Sequence, residues 1–326
     1  MTAPVPHAHP TQRLMTRRRL LRAGMMAGAS TSLLAGRALA EGPVRSPQNI
    51  TFRLVLPGVF RDGPPLSFTL SGREVYQGGA LQVRANHRPP ATAILLGRHY
   101  TLSDEVVGSV GFVSVATGDP AGPANVTVQI TKPDGEPEYS TIPITILATD
   151  WTVDYITLPP GSGDILDNPD LIVAEVQHLA RVYSGVVPKL WVGRFISPAP
   201  TAPISGYFGE QRSFNGGPVG GHHGGTDFGV TEGTPIIATN RGVVVLAEKL
   251  YVRGNMVIID HGGGVFSGYA HLSKIAVTAG QPIGKGEYLG DSGATGFVAG
   301  AHLHWEMSVG GVLVDGLRWL DLSQGF

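Results

Sequence analysis

Residues 302–308 of the chain read HLHWEMS, and polar and apolar side chains alternate at every position. Successive side chains of a β-strand point to opposite faces of its sheet, so alternation with a period of two indicates a strand that has one face in a core. The pattern predicts that Leu303 and Trp305 face that core. It also predicts that His302 and His304 project together from the opposite face.

The surrounding residues 204–324 have the same character. Short segments rich in β-branched side chains are separated by glycine pairs, and no segment has the spacing of a helix. The clearest further strands are predicted at Ile236–Ala238, Gly242–Ala247, Met256–Asp260, Val265–His271 and Glu287–Asp291. We therefore expect an all-β domain over residues 204–324.

A second run of predicted strands precedes this domain and covers residues 47–148. The strands are predicted at Ile50–Leu56, Leu66–Leu70, Ala80–Ala85, Thr92–Leu96, Val110–Val115, Asn125–Ile130 and Thr141–Leu147. About seven strands in about 100 residues are typical of a small immunoglobulin-like sandwich. Nothing in this stretch brings histidines together with carboxylates. We therefore expect a mainly β chain in which residues 47–148 form an immunoglobulin-like accessory domain.

Residues 149–203 connect the two predicted domains and contain one predicted helix. Asn168 is an N-cap residue, and Pro169 follows it at the first helical position. Four apolar side chains then recur at helical spacing: Ile172, Val176, Leu179 and Tyr183. This spacing predicts an amphipathic helix over about 169–183, with one apolar stripe packed between the domains or against the second one.

Residues 1–40 have the features of an export signal. They contain six arginines and no acidic residue, and the pair Arg17 and Arg18 precedes a mildly apolar run at 23–34. Residues 38–40 read ALA, which supplies small side chains where a signal peptidase cuts. Paired arginines are typical of a twin-arginine signal; a Sec signal and a retained basic tail are the alternatives. Because the apolar run is too short for a stable membrane anchor, we expect a protein exported to the periplasm or cell envelope.

Charge and cysteine content exclude several classes of protein. Since six of the 24 basic residues lie in residues 1–40, the rest of the chain has 18 basic residues against 25 acidic ones. That excess of negative charge gives no electrostatic reason to bind nucleic acid. The chain has no cysteine, which excludes disulfides, thiolate zinc sites and a cysteine nucleophile. A metal could bind only through histidine, aspartate or glutamate.

Five of the nine histidines after residue 40 lie in three short motifs, HHGGTD at 222–227, YAH at 269–271 and HLH at 302–304. In the first motif a histidine and an aspartate are separated by two glycines, which permit tight backbone turns. One segment can therefore bring a ring nitrogen and a carboxylate oxygen to one point. With a histidine from a distant motif they would form a nitrogen–oxygen site of the kind that zinc accepts.

These motifs, taken in order, resemble the lysostaphin-type (LytM-like) zinc metallopeptidases, a family of cell-wall endopeptidases. The resemblance covers about residues 208–320. It rests on FGEQR at 208–212, HGGTD at 223–227, EGTPI at 232–236, GVV at 242–244, GNMVIIDHG at 254–262, YAHLS at 269–273 and AHLHWE at 301–306. Ala301 and Gly316 stand where the family commonly has proline. The resemblance implies that residues 204–324 form a LytM-like metallopeptidase domain, an antiparallel β domain with a groove for one Zn²⁺ per chain.

The resemblance also implies a set of metal ligands. His223, Asp227 and His304 would bind the zinc ion. The double histidine leaves a choice of register, because His222 lies five residues before Asp227 and His223 lies four. Only His223 has the family spacing.

Further roles follow from the same resemblance. His302 and His271 would stay unligated and act jointly as general base and transition-state donors. Tyr269 would be either a donor to the oxyanion or a packed aromatic residue. Glu306 would either orient a ligand imidazole or lie at the surface.

The function that the resemblance implies is hydrolysis of peptide cross-links in bacterial peptidoglycan by an exported zinc endopeptidase. One alternative is a non-catalytic LytM-like module that binds the wall or activates another hydrolase; the presence of all five matching residues speaks against it. Another is a zinc carboxypeptidase or amidase acting on the same wall. The sequence names no divisome or wall-synthesis partner.

Overall fold

The computed structural model describes residues 64–88, 90–158 and 168–320, and the protein is mainly β within these ranges. The predicted export signal at 1–40 and the predicted strand Ile50–Leu56 lie outside the described residues. Within the described part of the chain, no helix is both long and apolar enough to cross a membrane.

The first half of the described chain consists of short strands joined by turns. They are β1 (Phe68–Leu70), β2 (Glu74–Tyr76), β3 (Ala80–Ala85), β4 (Ala91–Leu95), β5 (Arg98–Thr101), β6 (Ser103–Asp104), β7 (Ser109–Ser114), β8 (Gly122–Thr131) and β9 (Pro137–Leu147). They form two sheets, with the strand orders β1-β3-β7-β6 and β2-β9-β8-β4-β5. Neighbouring strands are antiparallel except for β2 and β9.

Both of these sheets contribute to one hydrophobic core. Val83 and Val113 of the first sheet and Ala93 and Val128 of the second are fully buried in it. Two sheets that share a core are what a β-sandwich requires. The assignment of this sandwich to the immunoglobulin-like class, with boundaries at 47–148, stays a prediction.

The second half of the described chain contains a bridging strand and helix, then a larger sheet. The elements are β10 (Val153–Ile156), α1 (Pro169–Val182), β11 (Ile204–Gly206), β12 (Gln211–Phe214), β13 (Thr226–Phe228), β14 (Pro235–Ile237), β15 (Gly242–Lys249), β16 (Asn255–Gly262), β17 (Val265–Ile275), β18 (Pro282–Ile283), β19 (Tyr288–Ser292), β20 (Leu303–Val309), β21 (Val312–Val314) and α2 (Leu317–Leu320). β10 pairs in parallel with β12.

The larger sheet is antiparallel, and its main path is β11-β13-β20-β17-β16-β15-β18. β20 lies between β13 and β17, and its register places His304 opposite Asp227 on one side and Ala270 on the other. Leu303 and Trp305 are fully buried in the core, as the alternation predicts. Because directly paired residues share a face of the sheet, Asp227 and His304 stand together on the opposite face.

Each predicted strand within the described residues overlaps an observed strand. The expectation that residues 204–324 contain no helix is wrong at α2, which is a single turn of four residues. The sequence also missed short strands such as β10 and β18. Two to four residues are too few to reveal a period of two.

Helix α1 begins at Pro169 and ends at Val182, close to the predicted bounds. Leu179 and Tyr183 of the predicted stripe are buried. The prediction of the stripe is wrong for Val176, which is 55% exposed, whereas the neighbouring Glu175 is only 5% exposed. The helix is rotated relative to the predicted stripe because the Glu175 carboxylate finds hydrogen-bond partners in the domain that it packs against.

The N-terminal sheets pack directly against the larger sheet. Phe112 of β7 shares a core with Trp191 and Trp319, at ring-centroid distances of 5.9 and 4.9 Å. The hydroxyl of Ser114 donates to the backbone carbonyl of Val309 at 3.0 Å. The end of β20 is therefore fixed from the N-terminal side.

Candidate metal centre

His223, Asp227 and His304 bring one potential ligand atom each to the same point. Asp227 lies in β13 and His304 in β20, and His223 lies in the segment before β13. His223 Nε2 is 3.0 Å and His304 Nδ1 2.8 Å from Asp227 Oδ1, and the two ring nitrogens are 2.9 Å apart. All three residues are buried. Together they could hold a metal ion.

The glycines between His223 and Asp227 allow this convergence. A Cβ atom at Gly225 would lie 2.4 Å from the backbone oxygen of Trp305 and 2.8 Å from Cε1 of His304. Real Cβ atoms do not approach other atoms so closely. The turn can therefore press against β20 only where it has no side chain.

The outer atoms of the three ligands are held by other groups. His223 Nδ1 donates to the backbone oxygen of Tyr207 at 2.8 Å, and His304 Nε2 donates to Glu306 Oε1 at 3.2 Å. Arg212 donates to Asp227 Oδ2 at 2.6 Å. Partners of this kind fix the tautomer and orientation of metal ligands.

The tautomers that this network assigns leave three lone pairs facing one another. A carbonyl oxygen only accepts hydrogen bonds, so the proton of neutral His223 is on Nδ1 and its Nε2 carries a lone pair. By the same argument Glu306 keeps the proton of neutral His304 on Nε2. Two lone pairs 2.9 Å apart beside a carboxylate repel one another unless a proton or a metal cation lies among them. The donor set therefore fits a bound metal ion.

Asp227 and His223 have the protonation states that this charge pattern requires, whereas for His304 burial lowers the pKa but the contacts with Asp227 and Glu306 outweigh it and raise the pKa. Burial alone would raise the pKa of Asp227, but its contacts with His223 and His304 outweigh burial and hold the pKa well below its usual range. Burial also lowers the pKa of His223 despite its contact with Asp227. An ionised carboxylate and a neutral imidazole are the forms that bind metals.

His271 and His302 lie beside the three ligands, as the sequence predicts. The His271 ring centroid is 4.8 Å from that of His302 and 5.7 Å from that of His304. In each of the two rings Nδ1 bonds to a backbone oxygen, of Thr295 at 2.8 Å for His271 and of Gly300 at 2.9 Å for His302. Each neutral ring therefore keeps the lone pair of its Nε2.

The backbone at His271 departs from a regular strand. Its φ angle is +62°, a conformation that residues other than glycine adopt rarely. Ala270 is paired with His304 and so occupies the His304 face, which would put His271 on the core face in a regular strand. The positive φ redirects the His271 side chain toward His304. Such a local departure at a candidate site is typical of functional strain.

The environment of the two rings keeps them neutral. Burial, together with the nearby His304 and His302, lowers the pKa of His271 to about 3. Burial also lowers the pKa of His302. His302 Nε2 lies 3.7 Å from Asp227 Oδ1, beyond hydrogen-bond distance. Both rings are therefore neutral at neutral pH, each with a lone pair on its Nε2.

Of the two alternatives for Glu306, the surface position is wrong. Glu306 is fully buried and contacts the ring of His304 through Oε1. Its other partners are Arg253 and Tyr183. The alternation of β20 was sufficient to put Glu306 on the His304 face, but nothing in the sequence identified Arg253.

Of the two alternatives for Tyr269, the packed aromatic is correct. Tyr269 is paired with Trp305 in the register and is fully buried on the core face. Its hydroxyl is 2.9 Å from the backbone nitrogen of Thr239 and 2.8 Å from the Ser267 hydroxyl. The suggested role as an oxyanion donor is corrected, because the side chain points away from the face that carries His304.

His222 does not join the three-residue group. Its Nδ1 bonds to the backbone oxygen of Gly209 at 2.8 Å, and its ring packs against Trp151 at a centroid distance of 5.3 Å. The structure therefore brings His223, the histidine with the family spacing, to Asp227.

Two adjoining cavities open at this centre. One, of about 360 Å³, is lined by His223, His271 and His304; the other, of about 180 Å³, is lined by Asp227 and His302. They share Arg212, Phe214 and Phe297 as walls. The second cavity also contacts Asp154, Ile156 and Leu158. Sequence reasoning missed this wall, because β10 is too short to show a pattern.

The comparison with known proteins agrees with the motifs. Residues 221–316 match the model of Peptidase family M23. The peptidoglycan DD-endopeptidase ShyA of Vibrio cholerae is 44% identical over 96 residues, which are 29% of this chain and 22% of that protein. The DD-carboxypeptidase/endopeptidase Mpg of Neisseria meningitidis is 39% identical over 93 residues, which are 28% of this chain and 21% of that protein. The chain thus spans about a fifth of the length of these relatives.

The structural likeness extends further along the chain. The crystal structure of a putative peptidase M23 from Pseudomonas aeruginosa superposes with a TM-score of 0.57 at 25% identity, over 75% of this chain and 94% of that one. The matched residues, 221–316, include the three convergent residues His223, Asp227 and His304 as well as His271 and His302. Residues 221–316 of the chain therefore correspond to a peptidase M23 domain.

Proposed function

We propose that the protein is an exported zinc metalloendopeptidase that hydrolyses peptide cross-links of bacterial peptidoglycan. The observation that carries the proposal is the convergence of three lone-pair donors, His223, Asp227 and His304, within 3.0 Å of one another. His271 and His302 lie beside them. The Nδ1 atom of each ring bonds to a backbone oxygen, so each neutral ring has a lone pair on Nε2. A relative named as a peptidoglycan DD-endopeptidase supports the substrate class.

The metal would be held by His223 Nε2, Asp227 Oδ1 and His304 Nδ1. Two imidazole nitrogens and one carboxylate oxygen suit zinc, and three protein ligands are typical of catalytic zinc sites. When bound, zinc supplies Lewis acidity, which lowers the pKa of a water ligand and polarises a peptide carbonyl.

His271 and His302 would move the protons. Their Nδ1 atoms are engaged with backbone oxygens, so their Nε2 atoms are the ones able to accept a proton from the attacking water. A ring that has accepted the proton can then donate it to the oxyanion or to the leaving amine. We assign the two residues jointly as general base and transition-state donor.

The surrounding chain would orient this machinery. Arg212 restrains Asp227 through its second carboxylate oxygen, and Glu306 restrains the ring of His304. Phe214 and Phe297 pack at a centroid distance of 5.2 Å and border both cavities. A peptide strand bound along the cavities would pass close to these two rings.

The proposed substrate is consistent with the export signal that the sequence predicts in residues 1–40. Peptidoglycan lies outside the cytoplasm, so an enzyme that acts on it must be exported. The twin-arginine pattern would carry the protein to the periplasm. The wall-binding and activating roles of a non-catalytic module remain the alternative function.

Digestion of purified cross-linked peptidoglycan, followed by mass spectrometry of the new termini, tests the proposal. We expect the zinc-loaded protein to convert cross-linked muropeptides into monomers, Asp227→Ala to be inactive and His222→Ala to stay active. Loss of only the terminal residue from uncross-linked stems would indicate a carboxypeptidase. Release of whole stem peptides from glycan would indicate an amidase. No new termini would support the non-catalytic alternative.

A further inference from the structure

Helix α1 carries a buried carboxylate, that of Glu175, which is hydrogen-bonded outside the helix. Glu175 directly precedes Val176, for which the sequence predicts burial, and it is the Glu175 side chain that is buried, with only 3% exposed. Its Oε2 accepts from the backbone nitrogen of Val252 at 2.7 Å. Its Oε1 accepts from Arg253, through the backbone nitrogen at 3.3 Å and Nη1 at 3.0 Å. A buried charge destabilises the fold unless it is fully paired, and here every partner belongs to the segment between β15 and β16.

Arg253 carries this interaction toward the candidate metal centre. Its Nη1 contacts Glu175, and its Nε donates to Glu306 Oε1 at 2.7 Å. Tyr183, directly after α1, donates its hydroxyl to Glu306 Oε2 at 2.7 Å. The helix therefore reaches Glu306 by two routes, one through Arg253 and one directly.

Glu306 is the last link before a potential metal ligand. It has no solvent exposure, and its Oε1 receives the Nε2 proton of His304 at 3.2 Å. This contact leaves His304 Nδ1 free to face His223 and Asp227. Because Glu306 is surrounded by three partners, its position depends on Arg253 and Tyr183 as well as on β20.

Arg253 also touches the second part of the site. Its backbone oxygen accepts from the backbone nitrogen of His271 at 2.9 Å. His271 is the residue whose positive φ redirects its ring toward His304. One arginine, fixed by the helix, thus contacts both the support of a ligand and the strained backbone of a candidate proton carrier.

We propose that Glu175 and Tyr183 of the α1 segment are positioning residues for the metal centre, acting through Arg253 and Glu306 on His304. Both lie outside residues 221–316, the stretch that matches the family model. The centre in this chain is therefore completed by the bridging segment and is not contained in the matched stretch alone. The inference rests on the proposed metal site.

Zinc affinity of the full exported chain, measured by competition with a chromogenic chelator, tests this inference. Glu175→Gln keeps the shape and removes the charge; Tyr183→Phe removes one oxygen and keeps the ring that packs against Phe266 at 5.6 Å. We expect each variant to bind zinc several-fold more weakly, and less weakly than the loss of about 10-fold to 100-fold that is usual when a group in direct contact with a metal ligand is removed. The d–d spectrum of the Co²⁺-substituted protein should shift as well.

The matched control is His178→Ala. His178 lies on the same helix and contacts Glu248 of β15 at 2.9 Å, so its loss also weakens the packing of α1 without touching the Arg253 route. We expect zinc affinity and the Co²⁺ spectrum of this variant to equal those of the unmodified protein. Circular dichroism should show that each variant is folded.

A double-mutant cycle separates positioning from general loss of stability. If Glu175 acts through Glu306, Glu175→Gln should weaken zinc binding much less in a Glu306→Gln background than alone. Additive losses, or an unchanged zinc affinity in folded Glu175→Gln and Tyr183→Phe, would overturn the inference. Should Glu175→Gln fail to fold, Tyr183→Phe decides alone. If instead the unmodified protein binds no zinc, the proposed function fails and takes this inference with it.

Discussion

Asp227 of β13 and His304 of β20 are direct cross-strand partners, and their Oδ1 and Nδ1 atoms lie 2.8 Å apart. The hydrogen-bonded ladder of the sheet, and not a loop, sets the distance between these two side chains. His223 joins them from a segment that Gly225 allows to pass close to β20. A site on paired strands is more rigid than one on loops, which suits a metal centre that must keep its geometry through a reaction.

His271 and His302 should affect the rate of hydrolysis and should not affect the binding of zinc. We expect His302→Ala and His271→Ala to keep zinc and the fold, and to hydrolyse peptidoglycan about 10²–10⁴ times more slowly, the usual worth of general acid–base catalysis. Zinc content and initial rates measured on the same samples check this. Loss of zinc from His302→Ala would make that residue a ligand and contradict the assignment.

Gly225 should be intolerant of any side chain. In Gly225→Ala the new methyl group would meet the backbone of Trp305 and the ring of His304, so β13 or the ring must move. We expect a lower melting temperature and a much reduced zinc content. Gly221→Ala is the control, because a Cβ atom at Gly221 has no neighbour within 4 Å. Equal zinc content in the two variants would show that the contact is harmless.

Tyr269 should contribute to the stability of the fold and not to the reaction. Tyr269→Phe removes a hydroxyl that is bonded to Thr239 and Ser267 in the core, and it leaves buried polar groups without a partner. We expect the free energy of unfolding to fall by about 1–3 kcal/mol, measured by chemical denaturation, with the hydrolytic rate of the folded variant unchanged. A hundredfold slower reaction at full stability would restore Tyr269 as a catalytic candidate.

The arginines of residues 1–40 should direct export of a folded precursor. Replacement of Arg17, Arg18 and Arg19 by lysine should block a twin-arginine route and leave zinc-loaded precursor in the cytoplasm. Cell fractionation with metal analysis of the retained protein measures this outcome. Normal arrival of the triple variant in the periplasm would indicate a Sec signal and metal uptake outside the cytoplasm.

Local patterns of the sequence predict most strands of the larger sheet, and together with the family resemblance they identify the three residues that converge. The alternation around His304 predicts which face of β20 joins the apolar core, because successive side chains of a strand point to opposite faces; the polar face is buried too, which the alternation does not predict. The spacing that the family resemblance implies favours His223 over His222, and the structure brings His223 to Asp227. Both features depend on residues that are close together in the chain.

What the sequence could not predict depends on partners far along the chain. Glu175 directly precedes Val176 of the predicted apolar stripe, and its partner Arg253 lies 78 residues away, so no local pattern distinguishes it from a solvent-exposed glutamate. Val176 was placed on the buried face for the same reason. The groove wall formed by β10 was missed because its pairing with β12 arises only in the folded protein.

Metal analysis of the purified protein is the most direct test of the central claim, that His223, Asp227 and His304 form a zinc site. We predict about one zinc per chain for the unmodified protein. His223→Ala should lose most of this zinc, whereas His222→Ala, which alters a ring that packs against Trp151, should retain it. A protein without zinc, or zinc retained in His223→Ala and lost in His222→Ala, would contradict the account.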